Sequence, residues 1–69
     1  MSQKRKPMEP REVVRRLADD GWMLKRKGPG DHRQYVHPTK KGKVTLDMGV
    51  RQIPTGKLRS IFRQAGWDW

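Results

Sequence analysis

Cysteine is absent from all 69 residues, which removes a disulfide framework and a thiolate zinc site as ways of holding a small domain together. Packing or a partner has to do that work. The two histidines fall short of the three or four ligands a metal site needs, so neither a metal nor another cofactor is expected. No apolar run approaches the ~18–20 residues of a membrane span, and Met1-Ser-Gln-Lys-Arg-Lys6 lacks the apolar stretch of a signal peptide. No membrane contact and a cytoplasmic location are the expectation. Acidic side chains are scarce, seven against 17 Lys and Arg, which leaves a formal charge of +10. Such a surface attracts phosphates and releases their counterions on binding, so nucleic acid is the favoured class of partner. Charge alone does not separate it from an acidic protein.

Apolar residues are also few, 32% of the chain, enough for one small core. They come in periodic clusters with three tryptophans, which argues against an unfolded polybasic tail. Residues 1–8, with Lys4, Arg5 and Lys6, read as a flexible basic arm; residues 9–69 read as a single domain. Val13, Val14, Leu17 and Ala18 share one helical face, so a helix is predicted from Pro10 to Asp20 and closed by Gly21. Asp19 and Asp20 then sit at the negative end of the helix dipole, a local cost without an evident return. Trp22–Lys27 reads as a strand with Trp22 and Leu24 on a core, and Gly28-Pro-Gly-Asp31 as a tight turn. His32–His37 reads as a second strand. Lys43–Met48, with Val44, Leu46 and Met48 on one face, is the clearest third. Thr55 is placed to cap a second helix whose stripe is Leu58, Ile61, Phe62 and Ala65, ending at Gly66. Trp22 and Trp67 follow the two closing glycines and fold onto the last turn of each helix. Trp69 has no such place and reads as an exposed contact. The fold class is α+β, in the order αβββα: a three-stranded antiparallel meander with both helices on one face and the other face open.

Few of these residues suit catalysis by familiar routes. No serine stands in a nucleophile motif, and Gly28-Pro-Gly30 opens no helix that would cradle a nucleotide phosphate. His32 is different. It stands where the turn enters a strand, with Lys25, Arg26 and Lys27 before the turn and Arg33 after it. Histidine gives and takes protons near neutral pH, and the cations would hold phosphate oxygens. RNA brings its own nucleophile, the 2′-OH, so such a site needs only to position the backbone, move protons and stabilise charge. From the residues alone, a turn histidine beside a solvated basic face fits as well. His37, before Pro38, reads as a turn residue or a surface on which a base stacks.

Taken together, Gly21-Trp22, Arg26, Gly30-Asp31-His32, Tyr35, His37-Pro38, Gly42-Lys43-Val44-Thr45, Ile53-Pro54-Thr55-Gly56 and Leu58-Arg59-Ser60-Ile61 through Gln64-Ala65-Gly66 closely resemble the HicA (YcfA-like) toxin family. The similarity spans about residues 10–67. It implies a fold like the double-stranded RNA-binding domain and an endoribonuclease toxin, an mRNA interferase, of a type II toxin–antitoxin pair. The family's catalytic histidine falls on His32, and Asp31 stands where many members carry Ser. The resemblance turns the choice at His32 toward catalysis.

The expected function is therefore a metal-independent endoribonuclease that cleaves mRNA and arrests translation, neutralised by a HicB-like antitoxin. Lys25, Arg26, Lys27 and Arg33, and more weakly Arg59, are the expected RNA-binding residues. The alternative is a non-catalytic RNA-binding module using the same sheet and basic strip.

Overall fold

The computed structural model describes residues 7–69, so most of the basic arm lies outside the described residues. Its elements are α1 (Pro10–Asp19), β1 (Met23–Lys27), β2 (His32–Val36), β3 (Lys43–Asp47) and α2 (Thr55–Ala65). The order is the αβββα read from the sequence, and the sheet is an antiparallel meander, β1-β2-β3. Val13 and Leu17 of α1 and Leu58, Ile61, Phe62 and Ala65 of α2 pack with Tyr35, Val44 and Leu46 in one core. Both helices therefore cover the same sheet face.

Local chemistry explains where the helices begin and end. Pro10 opens α1, and the Glu9 N–H donates to Glu12 Oε1 at 3.0 Å, satisfying a backbone donor that the helix itself cannot. Both helices close in the same way. Gly21 (φ 95°) and Gly66 (φ 74°) take the left-handed conformation. The following tryptophan N–H groups then reach back, Trp22 to Leu17 O at 2.9 Å and Trp67 to Phe62 O at 2.8 Å.

The structure corrects four expectations. Thr55 does not cap α2 but is its first helical residue, with Pro54 in the cap position and the Leu58 N–H on Pro54 O at 2.8 Å. Proline tolerates that place because its missing N–H is one the helix leaves unpaired. Ala18 is exposed while Val13 and Leu17 are buried, so the buried stripe of α1 is narrower than its spacing implies. Leu24 is 42% exposed, not on the core. α2 lies along β3, at the far side of the sheet from β1, and all of β1 is exposed. Finally Met8 is tied to the domain, its carbonyl accepting the Ile53 N–H at 2.7 Å. The folded unit thus includes the last residue assigned to the arm.

Candidate functional site

His32 opens β2, where the backbone is held from both sides. The Gly28 N–H donates to His32 O at 2.8 Å, closing the turn that Gly30 (φ 66°) makes possible. On the other side the Met48 N–H donates to Asp31 O, also at 2.8 Å. The imidazole itself is exposed, and among the described residues it has no hydrogen-bond partner. It lines a groove of about 200 Å³ between the β3 edge of the sheet, the segment before α2 and one side of α2. Thr45 and Asp47 of β3 and Lys57, Ser60 and Gln64 of α2 share that groove. Gln64 fastens helix to strand: its Oε1 accepts the Thr45 N–H, a donor at the sheet's open edge, at 3.2 Å.

Register sorts the expected phosphate ligands. Residues paired across antiparallel strands project to the same face. Arg33 pairs with Leu46 and with Lys27, so Arg33 and Lys27 belong to the helix-covered face. His32 pairs with Asp47, and Gln34 with Thr45 and Arg26, so His32 and Arg26 share the open face. Lys25 is the unpaired residue of a β-bulge between Leu24 and Arg26 on the exposed edge strand. Arg59 stands two positions from Lys57 and from Ile61, about 200° around the helix from each, and is outside the groove. Of the five basic residues singled out by sequence, Arg26 is the one on His32's face by register. Asp31, beside His32 in sequence, turns to the segment after β3. A side chain added at Gly49 would come within 2.6 Å of Asp31 Oδ2.

Sequence reasoning missed Lys57, Ser60 and Gln64. Their signal was present, since 57, 60, 61 and 64 have the i, i+3, i+4, i+7 spacing of one helical stripe. That stripe adjoins the apolar one and is polar at three of its four positions, so a search for apolar periodicity passes over it.

His37 plays the turn role. Its Nδ1 accepts the backbone N–H groups of Thr39 and Lys40, each at 3.1 Å, which leaves the proton on Nε2 to be donated to Asp20 O at 2.7 Å. Asp20 is the larger surprise. Its Oδ2 accepts from Lys40 Nζ at 2.6 Å and from the indole N–H groups of Trp22 and Trp67, both at 2.9 Å. Hydrogen bonds from Lys40 first, then from Trp67 and Trp22, hold its carboxyl at about 2, well below the usual 3.8. Lys40 also donates to Ala65 O at 3.0 Å, at the negative end of α2. The carboxylate that looked misplaced on α1 thus joins the ends of both helices to the β2–β3 turn.

Trp67 packs edge-on to Phe62 at 5.2 Å, and the Arg16 guanidinium lies 4.7 Å from the Trp67 ring and 4.9 Å from the Phe62 ring. Trp69, read as an exposed contact, remains 38% exposed but also meets Phe62 edge-on at 5.3 Å. No group of three or more His, Asp or Glu among the described residues is placed to hold a metal ion, and no helix there is long and apolar enough to cross a membrane.

No curated protein matches this chain. The family model described as the HicA toxin of bacterial toxin–antitoxin systems matches residues 10–67, almost the whole of the described domain. This chain belongs to the HicA toxin family, whose members are the toxin half of a pair that includes an antitoxin.

Proposed function

We propose that this chain is a metal-independent endoribonuclease that cleaves mRNA at the groove beside His32 and is neutralised by a HicB-like antitoxin. The observation that carries the reading is an exposed imidazole with no partner among the described residues, on the wall of a groove it shares with Lys57. Cleavage consists of attack by the ribose 2′-oxygen on the adjacent phosphorus and departure of the 5′-oxygen of the next nucleotide. A proton leaves the 2′-OH and one reaches the 5′-oxygen; His32 moves one of these, and water moves the other. Lys57, which shares the groove with His32, holds a phosphate oxygen as negative charge builds on the phosphoryl group, and Arg26, on the same open sheet face by register but outside the groove, holds a neighbouring phosphate. Lys25, on the bulge of the exposed edge strand, serves as an outer phosphate contact along the RNA path, whereas Lys27 and Arg33, on the helix-covered face by register, and Arg59, outside the groove, are off this path.

The antitoxin, on this reading, presents acidic groups and covers the groove, complementing the +10 charge. The test compares wild type with His32→Ala on a defined mRNA in EDTA, scoring cleavage and binding together. Cleavage by wild type alone, with binding retained by the variant, is expected. Binding by both with cleavage by neither would make the chain an RNA-binding module. Cleavage by both would remove His32 from the reaction.

A further inference from the structure

We propose that Asp47 is the base that receives the 2′-OH proton, carried to it by the water of the cleavage step, and that His32 accordingly gives its proton to the departing 5′-oxygen. The inference rests on the RNA-cleavage reading and divides the two proton transfers between named residues. His32 and Asp47 are partners across β2 and β3, so their side chains leave the same face with Cβ atoms ~4.5–5.5 Å apart. Both line the groove that Lys57 shares, and Asp47 is its one carboxylate among the described residues. The Gly49 N–H donates to Asp47 Oδ1 at 2.9 Å, which orients the carboxylate and leaves Oδ2 without a partner among the described residues. No hydrogen bond joins Asp47 to His32. Each is therefore free to meet the RNA.

The other groups near His32 do not fit that role. His37 lies five positions further along the chain, ~17 Å away at the rise of an extended strand. Both its ring nitrogens are engaged, Nδ1 by two backbone N–H groups and Nε2 by Asp20 O. Asp31 turns toward Gly49 and does not line the groove. The Lys57 ammonium carries only donors, whereas a carboxylate only accepts, and the 2′-OH has a proton to lose. With Asp47 as base the step balances. The 2′-oxygen forms its bond to phosphorus as its proton passes through water to Asp47 Oδ2. The bond from phosphorus to the 5′-oxygen breaks, that oxygen keeps the electron pair, and the His32 imidazolium gives it a proton. The products are a 2′,3′-cyclic phosphate and a 5′-hydroxyl.

The experiment compares ordinary RNA, its wild-type cut mapped, with RNA in which the 5′-oxygen at that cut is replaced by sulfur. Sulfur departs without a proton, because thiols are far more acidic than alcohols, so only the base is still needed. Asp47→Asn, which keeps an oxygen for the Gly49 N–H, is expected to lower kcat about 100-fold on both RNAs. KM should stay the same or fall, since a negative charge leaves the groove. His32→Ala is expected to be inactive on ordinary RNA yet within about tenfold of wild type on the sulfur RNA. Binding of an RNA that lacks the 2′-OH at the cut, read by fluorescence anisotropy, should be at least as tight for Asp47→Asn as for wild type. Weaker binding would make Asp47 a structural support and overturn its role as base. Full activity of Asp47→Asn, or sulfur that rescues Asp47→Asn or neither variant, overturns the assignment and leaves the His32 cleavage result standing. Failure of the wild type to cut either RNA overturns the RNA reading itself and this inference with it.

Discussion

Asp20 has three donors on one carboxylate oxygen, from Lys40, Trp22 and Trp67. A group whose folded pKa, about 2, lies below its ordinary 3.8 binds protons more readily when the chain unfolds. Its contribution to stability is therefore complete above about pH 4 and is lost as the pH falls toward 2. Asp20→Asn, which places an amide among these donors, is expected to lower the urea midpoint clearly at pH 7. The gap between the two proteins should narrow between pH 4 and pH 2.5; a gap that stays constant with pH would mean that the carboxylate charge is not what the three donors require. Sequence showed the position of Asp20 but not its worth. Lys40 is 20 residues away and Trp67 is 47 away, and only the fold brings them together.

The two helices end in the same Gly-Trp closure, yet their surroundings differ. At Gly66 an added Cβ meets nothing nearer than Lys40 Nζ at 3.9 Å, whereas at Gly21 it would lie 3.1 Å from His37 Nε2, the atom that donates to Asp20 O. Gly66→Ala should therefore cost about 1 kcal/mol, the strain of a left-handed residue with a side chain. Gly21→Ala should cost about 2 kcal/mol or more, because it adds displacement of the histidine to the same strain. Urea denaturation of the two variants measures the difference, and equal losses would show that the His37 contact has no energetic weight. These closures were legible because they are local: a glycine, then a tryptophan, after a periodic stripe. The strands were legible for the same reason, Val44 and Leu46 alternating with Lys43 and Thr45. The exposure of Leu24 was not legible, since alternation marks a strand's two faces but does not tell whether a helix extends over them. His32 was legible at the turn–strand junction, while its neighbours across the groove come from a helix that begins 23 positions later in sequence.

A charge of +10 on 69 residues guarantees attraction to polyanions at low salt, so binding by itself says little about where RNA lies. The salt dependence of binding says more, because each phosphate contact contributes its own released counterion. If RNA crosses the open face past His32, Arg26→Gln and Lys57→Gln should each lower the slope of log K against log salt by about 0.7 on a single strand. Arg15, exposed on α1, is the control: no residue of α1 lines the groove, and Arg15→Gln should leave the slope within error. Lys27 and Arg33 decide between faces, because register places them on the side the helices cover. A larger change at those two than at Arg26 and Lys57 would put the RNA on the helix side, away from His32. An intact slope at all four would place it beyond the sheet, with the arm or α1 as its contact. Measuring these variants in the His32→Ala background, from about 50 to 200 mM salt, keeps the RNA whole and separates where it binds from whether it is cut.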